Sequence, residues 1–354
     1  MNKKDAGELS GVKEIARRAG VSAATVDRVI HKRKGVSDKT RDRINAIIAE
    51  LNYQPNLHAQ RLASRKVVHI ATFIPESSDE TSFWEGPLKG IEDAEAEVMQ
   101  YSVKLHKFFY NQDNRKSFVK QAKAILKMKP DGILLAPSFM EESVDFITAC
   151  DAAGIPYVFM DSDIPGRNNL SYIGPDLYQS GFLAAHLVSY LLREHDKVLI
   201  VNISKEIDTD HHLLRKEEGF RAYYKEHGQE HIIIKRDIHR LDHASIEAGI
   251  AKALERHTDI RVIFVTNSRV SAVAAYVQRL PHKVILIGYD FLKENIDYLH
   301  SRTIDFLICQ KPLQQAYKGV MALYQHIAFN TPLDKINYMP IDIITKENYA
   351  SYEM

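Results

Sequence analysis

The chain has 354 residues, 45% of them apolar, which is the length and composition of a globular protein with two or three domains. Its net charge of +1 conceals an uneven distribution, because residues 1–66 hold fifteen basic and seven acidic side chains and the remainder carries a net charge of −7. A basic segment of this kind points to a polyanionic partner, although a solvated face or a membrane-surface patch would have a similar composition.

Residues 11–30 predict two short helices joined by a tight turn. Gly20 stands where the first helix should end, because glycine tolerates the left-handed conformation there. Ser22 stands where a second helix would be capped. This order is typical of a helix-turn-helix, whose second helix enters the major groove, rather than of an ordinary surface helical hairpin. The apolar core of the unit is expected to be Ile15, Ala16, Ala19, Val21, Val26 and Val29.

A third helix is expected after Ser37, which caps it, with Asp38 in the first turn where a negative charge suits the helix dipole. Asn52 and Pro55 are expected to stop it. Residues 56–65 then form a short, weakly apolar helical stretch between two domains. The buried stripe of the third helix is expected to be Ile44, Ile47, Ile48 and Leu51.

These segments resemble the LacI/GalR family of bacterial transcriptional regulators. The matching motifs occur in the family's order and spacing, namely EIARRAGVS (14–22), ATVDRV (24–29), VSDKTRDRI (36–44), LNYQPN (51–56) and AQRLA (59–63). The resemblance implies a small all-α helix-turn-helix DNA-binding domain over 1–54, a hinge helix over 55–66 and, more loosely, a sugar-binding-protein-like effector domain over 67–354.

The recognition helix is expected over residues 23–31. The resemblance puts Ala23 and Ala24 at its start, where family members contact base edges, and alanine offers only an apolar contact. Thr25 can bond a phosphate or a base, and Arg28 is the best candidate for a bidentate contact to guanine. Asp27 either orients Arg28, accepts from cytosine or faces solvent, and we favour the orienting or solvent role.

Two further groups of residues are expected at the DNA. Lys32, Arg33 and Lys34 are expected to contact phosphates, which gives affinity but little sequence choice. In the hinge, Leu62 matches the family's leucine wedge, which unstacks a base step from the minor groove, and Asn56 and Ala59 belong to the same interface. Because an isolated helix this short is only marginally stable, we expect it to form only with a partner hinge and DNA.

From residue 67 onward, apolar strand-like runs alternate with amphipathic helices, which predicts parallel sheets covered on both faces. The expected strands are 67–74, 103–109, 132–137, 157–161, 197–203, 231–235, 261–267, 283–290 and 305–310. The predicted architecture is an α/β effector domain of two parallel-sheet subdomains, like type I periplasmic binding proteins. The first is expected over about 67–164 and 311–330, and the second over about 165–310 and 331–354.

Polar residues follow several strands, at the sheet edge where ligands of open α/β sheets bind. The resemblance to sugar-binding proteins gives ligand positions to Asp161, Asn267, Asp290 and Gln310, and it makes Phe83 and Trp84 flank a sugar ring. Ser138 follows another strand. Arg215 lies near a family arginine but one residue out of register, so Lys216 competes with it. Alternatively, Asp161 and Asp290 are loop or cap residues and Trp84 belongs to the core.

Ser162 departs from the family pattern, because several sugar-binding relatives carry arginine after the aspartate. The effector could therefore be another polyol, a sugar phosphate or a nucleobase derivative. Phosphate-cradling and nucleophile-elbow motifs are not found, and His211 and His212 lack the spacing of a metal-binding helix face. We expect neither a cofactor nor a metal. Cys150 and Cys309 are expected to be buried structural thiols.

Taken together, these features predict a cytoplasmic, dimeric transcriptional regulator, more specifically a repressor, that binds double-stranded operator DNA and a sugar-like effector. We expect no membrane contact, because no apolar run reaches ~18 residues and residues 1–10 lack a secretory core. One alternative is a soluble sugar-binding module with an incidental basic segment. A less favoured one is a glycoside-processing enzyme that uses Asp161 or Asp290.

Overall fold

The computed structural model describes residues 11–30, 33–51, 53, 67–78, 81–229 and 232–352. The chain divides into two compact units, Met1–Arg65 and Lys66–Met354.

The described part of the first unit consists of helices α1 (Val12–Ala19), α2 (Ala23–Ile30) and α3 (Asp38–Glu50). Gly20 follows α1 with φ 61° and ψ 38°, and its N–H donates to the carbonyls of Ala16 and Arg17. The Ser22 hydroxyl accepts from the N–H of Thr25 at 3.2 Å. The predicted turn and cap are therefore confirmed. Asn52 and Pro55, the expected stop signals of α3, lie outside the described residues.

The core of this unit is the expected one, except that Ile47, Ile48 and Leu51 of the third helix are only partly buried against it. Ile44 is fully buried, and Val21 is only partly buried. The carboxylate of Glu14 was not anticipated: it is buried and accepts from both Arg17 and Arg18, which hold its pKa down to about 2. Arg18 also pairs with Glu50 at 2.8 Å, so it ties α1 to α3. The buried apolar residues are Ile15, Ala16, Ala19, Val26, Val29 and Ile44.

The second unit contains two six-stranded sheets and the helices that cover them. Its strands are β1 (Val68–Pro75), β2 (Val103–Tyr110), β3 (Gly132–Leu135), β4 (Tyr157–Met160), β5 (Ser171–Gly174), β6 (Lys197–Ile203), β7 (Ile233–Ile238), β8 (Ile260–Val265), β9 (Ile285–Tyr289), β10 (Phe306–Cys309), β11 (Ile336–Tyr338) and β12 (Asp342–Ile344). Its helices are α4 (Glu85–Val98), α5 (Arg115–Met128), α6 (Met140–Ala153), α7 (Leu177–Ser189), α8 (His211–Glu226), α9 (His243–Arg256), α10 (Val270–Val277), α11 (Lys293–His300) and α12 (Pro312–Phe329).

The first sheet has the order β11-β5-β4-β3-β1-β2 and is parallel throughout. The second has the order β12-β10-β9-β8-β6-β7, and only β12 runs antiparallel to its neighbour. The predicted fold class, two parallel-sheet α/β subdomains beside a short-helix unit, is confirmed.

Three short strands were not predicted, and they shift the expected subdomain limits. β5 pairs in the first sheet although it lies beyond residue 164, and β11 also pairs there although 331–354 was expected in the second subdomain. The chain therefore passes between the subdomains near residues 175, 310 and 340. Strands of three or four residues carry little apolar periodicity, and the residues of β11 are all exposed, so tertiary pairing alone defines it.

Two pairs of helices approach each other closely through glycine. A Cβ on Gly181 of α7 would lie 1.9 Å from the carbonyl oxygen of Lys216 on α8, and one on Gly219 would lie 1.9 Å from that of Tyr178. A Cβ on Gly90 of α4 would similarly lie 2.0 Å from the carbonyl oxygen of Leu313 on α12. The α7–α8 contact sets the position of Lys216, which lies at the cleft described next.

Candidate functional site

A cleft lies between the two subdomains, at the carboxyl ends of the strands of both sheets. It encloses about 950 Å³, part of which is open solvent. The sequence-predicted residues that line it are Phe83, Trp84, Ser138, Asp161, Asn267 and Asp290. Parallel strands direct their carboxyl ends to the same sheet edge, which is why residues so far apart in sequence meet there.

Asp161 and Asp290 occupy equivalent places, directly after β4 and β9. Both have positive φ angles, 64° and 72°, a conformation that is uncommon outside glycine and that aspartate tolerates better than most residues. The N–H of Asp161 donates to the side-chain oxygen of Gln315 at 3.0 Å, and that of Asp290 donates to the carbonyl of Ile308 at 3.0 Å. The backbone bonds fix both carboxylates in a turn at the floor of the cleft.

The ammonium of Lys216 lies behind these carboxylates and is fully buried. Its Nζ donates to the carbonyl of Thr266 at 3.3 Å and lies 3.4 Å from the centre of the Tyr289 ring. Burial lowers the pKa of Lys216, while Asp290, Asp161 and Asp210 counteract part of that effect. Lys216 thus supplies the positive charge that holds the aspartates in one cleft.

Arg215, the residue predicted here, does not line this cleft. Its guanidinium pairs with Glu218 and lies 5.0 Å from the centre of the Tyr178 ring, in a separate depression beside Tyr338. Successive residues of an α-helix point about 100° apart, so a shift of one residue along the helix places a side chain on another face. Lys216, the competing residue, takes the inward position.

The carboxyl groups of the cleft are costly to ionise. Burial raises the pKa of Asp161 to about 7, with Lys216 lowering it and Asp290 and Asp210 raising it further. Burial likewise raises the pKa of Asp290 to about 6, although the charge of Lys216 and the hydrogen bond from Gln310 lower it. Among the described residues, the Oδ1 atom of Asp161 is buried without a hydrogen-bond partner. Asp161 therefore offers an acceptor that a bound molecule can use.

Gln310 acts on the cleft through Asp290. It is fully buried, and its Nε2 donates to Asp290 Oδ1 at 3.1 Å. Gln315 donates to the carbonyl of Gln310 at 2.7 Å while it accepts from Asp161, so one side chain connects the two strand ends. Gln310 therefore positions Asp290 instead of lining the cleft itself.

Phe83 and Trp84 serve both of the roles considered for them. Their rings meet edge to face at 5.0 Å, and both residues belong to the core under α4 while also lining the cleft. The indole N–H of Trp84 donates to Gln112 at 3.2 Å, which fixes the ring as one wall of the cleft. An apolar ring face of this kind suits the C–H face of a sugar.

Asp210 and His212 line the cleft but were not predicted. Asp210 caps α8 by accepting from the N–H of Leu213, and burial raises its pKa. His212 Nε2 lies 3.7 Å from Asp161 Oδ1. Burial lowers the pKa of His212 well below its usual value, with Lys216 adding to that effect, so the imidazole is neutral. The available signal was an aspartate before a helical run, which is also the ordinary signature of a cap.

Ion pairs span the mouth of the cleft. Arg115 at the start of α5 donates to Glu206 after β6 at 2.5 Å, and Lys205 lies 2.8 Å from Asp113. In addition, the Ser82 hydroxyl donates to Glu294 at 3.0 Å. Each pair joins one subdomain to the other, so the subdomains are closed on each other.

The first unit presents α2 as an exposed helix. Ala23, Ala24 and Arg28 are exposed, and within the described ranges Arg28 makes no side-chain hydrogen bond or ion pair. Thr25 is partly exposed and its hydroxyl bonds that of Ser22 at 2.9 Å. Asp27 pairs with Arg33 at 3.1 Å, so it orients Arg33 and not Arg28. Four predicted DNA contacts lie outside the described residues: Lys32, Asn56, Ala59 and Leu62.

Comparisons with known proteins agree with both parts. The family "Bacterial regulatory proteins, lacI family" matches residues 11–56, and "Periplasmic binding protein domain" matches residues 70–331. Catabolite control protein A of Priestia megaterium is 28% identical over 286 residues, which is 78% of this chain and 81% of that protein. The protein of that name in Staphylococcus xylosus is 35% identical over 136 residues, 38% of this chain but only 39% of the relative.

Among solved structures, GanP, a glucose-galactose binding protein from Geobacillus stearothermophilus, superposes with a TM-score of 0.70 at 25% identity. That superposition covers 80% of this chain and 99% of the other. Over the described residues, no helix is long and apolar enough to cross a membrane. The same residues contain no group of three or more His, Cys, Asp or Glu side chains placed to hold a metal ion.

Proposed function

The chain belongs to the LacI family of bacterial regulatory proteins, and we propose that it is a repressor whose operator affinity is set by a sugar-like ligand bound in the cleft. The observation that carries this proposal is the presence, in one chain, of an exposed helix after a tight turn and of a closed cleft lined by Asp161, whose Oδ1 is buried and unsatisfied within the described residues.

The geometry of the first unit supports DNA binding. Gly20 and Ser22 fix the turn, so the exposed face of α2 is rigid and carries Arg28 free to reach a base edge. Arg33 and its partner Asp27 lie beside it, and an arginine there suits a phosphate. One such module reads too few base pairs for specificity in a genome, so we propose a twofold dimer on a near-palindromic operator.

The cleft supports a sugar-like effector. Carboxylate and amide acceptors at its floor suit hydroxyl donors, and the Trp84 wall suits an apolar ring face. The proposed residues are Phe83, Trp84, Ser138, Asp161, Asn267 and Asp290, with Lys216 and Gln310 positioning the carboxylates. The cleft binds its ligand without transforming it, and the protein acts in the cytoplasm, where its DNA partner resides.

Regulation follows from the closure of the cleft. Ligand stabilises the closed arrangement only by its differential affinity for that arrangement over an open one. Closure alters the spacing of the paired segments before residue 67, and thereby the stability of the hinge helices on DNA. An isolated helix this short is only marginally stable, so a small change in spacing is enough to shift it between its folded and unfolded states.

Selection of bound duplexes from a randomised library, followed by gel-shift titration of the winning sequence, tests this proposal. We expect one near-palindromic sequence to be enriched, with affinity falling steeply as salt rises. Titration with a panel of sugars and polyols should then change that affinity. Recovery of no preferred duplex, with or without the panel, would show that the proposed function is wrong.

A further inference from the structure

We propose that the effector is a small polyhydroxylated amine, such as a hexosamine, bound through its ammonium group to the carboxylates of the cleft. The inference rests on the proposed function, because it names the class of ligand that the same cleft takes. It also excludes the sugar phosphate that the sequence left open.

The first argument is the charge of the cleft. Asp161, Asp210 and Asp290 converge there, and the ammonium of Lys216 lies behind them. At the mouth, Lys205 is neutralised by Asp113, and Glu206 is neutralised by Arg115. Arg269 also lines the cleft, and its backbone N–H donates to Oδ1 of Asn267. When the three carboxyl groups are ionised, they face the two cations Lys216 and Arg269, and the excess is negative.

An anionic group would add to that excess. In a site largely removed from water, like charges repel strongly and unpaired carboxylates are destabilised. A phosphate or uronate would therefore bind against the field of three aspartates. A protonated amine would instead neutralise the excess.

The second argument is hydrogen-bond satisfaction. Asp161 Oδ1 lies at the cleft and, within the described residues, is buried without a hydrogen-bond partner; Nε2 of the neutral His212 lies 3.7 Å away and is also without one. The Asp161 oxygen is an acceptor, and a buried acceptor without a donor is costly. An ammonium group has three donors and no acceptor, so it can donate to this atom and to the neighbouring carboxylate oxygens of the cleft.

The third argument separates an amine from a neutral hydroxyl. A hydroxyl can donate to Asp161 but leaves the charge excess in place, and burial together with Asp290 and Asp210 already raises the pKa of Asp161. The groups that face this carboxyl are Lys216, His212, Asp210 and Asp290, and His212 is neutral. An ammonium there lowers the pKa of Asp161, so binding near neutral pH releases a proton.

The test is isothermal titration calorimetry of the full-length protein with matched ligand sets. Each set contains a hexosamine, its parent hexose, its N-acetyl derivative and its 6-phosphate, in the gluco, galacto and manno series. We expect one hexosamine to bind about ten to a hundred times more tightly than its parent and its N-acetyl derivative, because a charge-assisted hydrogen bond replaces a neutral one. Repeating that titration at pH 7 in buffers of different ionisation enthalpy should reveal the proton release.

Two variants localise the effect. Asp161→Asn keeps the backbone bond to Gln315 but removes the charge, so the preference for amine over parent should fall by about tenfold. Arg215→Ala, which alters a residue outside the cleft, should keep the preference.

A parent hexose that binds as tightly as every amine, or a phosphate that binds most tightly, overturns the inference. If that hexose also shifts operator affinity, the proposed function stands while the inference falls. Absence of binding by every amine likewise overturns the inference, and the operator selection then decides the proposed function separately.

Discussion

Arg115 of the first subdomain donates to Glu206 of the second at 2.5 Å, so an ion pair closes the mouth of the effector cleft. Arg115 also donates to Glu142 on its own subdomain at 3.0 Å, which holds the guanidinium in place for the cross-cleft contact. Both partners are more than one-third exposed, so water screens the pair and its contribution to closure is small.

Arg115→Ala should therefore weaken effector binding without abolishing it. The expected loss is about 1 kcal/mol or less, because an exposed pair contributes no more than that. Small-angle scattering of the ligand-free variant should show a larger radius of gyration than the parent. Arg279→Ala, which removes a more exposed arginine that pairs with Glu247 outside the lining of the cleft, is the control. Equal radii in variant and parent would mean that this pair does not hold the subdomains together.

The contact between α4 and α12 is tested by two glycines on the same helix. Gly90→Ala places a Cβ 2.0 Å from the carbonyl oxygen of Leu313, which the backbone cannot accommodate without moving. We expect a loss of roughly 1–3 kcal/mol in the free energy of unfolding. Gly86→Ala makes only ordinary contacts, with the Pro312 ring at 3.6 Å and the Leu313 nitrogen at 3.8 Å, and should be neutral or stabilising by up to ~1 kcal/mol. Chemical denaturation measures the free energy of unfolding of both variants. Equal values would contradict the close approach of α4 to α12.

The parts of the fold that the sequence predicts are those with local causes. Gly20, Ser22 and Ser37 act within a few residues of their own positions, and the caps they form are observed. The longer strands follow from continuous apolar runs. β5 and β11 have too few residues to show a period, and β11 joins the first sheet only because the chain returns to it after α12.

The candidate site divides in the same way. The positions of Asp161 and Asp290 can be predicted because the ends of their strands can be read from the sequence. A parallel sheet then brings the carboxyl ends of its strands together at one edge. Choosing between Arg215 and Lys216 requires the rotation of α8, which is fixed by its glycine contact with α7. Asp210 caps α8 and His212 lies in its first turn, so the loop before the helix brings both to the cleft, and no pattern in the sequence reports the path of that loop.

The buried carboxyl of Asp161 makes stability depend on pH. Its pKa in the native state is about 7 against an ordinary 3.8, so between these values the native state holds a proton that the unfolded chain has lost. The contribution of this carboxyl to the free energy of unfolding is fully present below pH ~4 and is lost as the pH rises through ~7. Asp161→Asn removes that loss.

Accordingly, the ligand-free Asp161→Asn variant should match the parent near pH ~4 and exceed it by roughly 3–5 kcal/mol near pH ~8. Urea denaturation at the two pH values measures the difference, and comparing variant with parent cancels the titrating groups that do not interact with Asp161. Asp305→Asn, at an aspartate that pairs with Lys283 away from the cleft, should show no such gain. A difference that shrinks as the pH rises would contradict the assigned shift.

Leu62 lies outside the described residues, and its role as a wedge stays a prediction from the sequence. Leu62→Ala should weaken operator binding and reduce DNA bending, because an apolar side chain between base steps kinks the duplex from the minor groove. Gel phasing of the selected operator measures the bend. A bend angle equal to that of the parent would remove Leu62 from the wedge, even if affinity fell.

Within the described part of the first unit, we predict that base recognition depends on Arg28. It is exposed on α2 and has no partner there, so its guanidinium is available for the two acceptors of a guanine. Arg28→Ala should cost about 1–3 kcal/mol and relax the preference at one operator position in each half-site. Arg33→Ala provides the matched comparison, because a phosphate contact carries no sequence information and its loss should weaken all sequences alike. Repeating the library selection with both variants separates the two roles. An unchanged base preference in Arg28→Ala would assign recognition to Thr25 and the apolar start of α2.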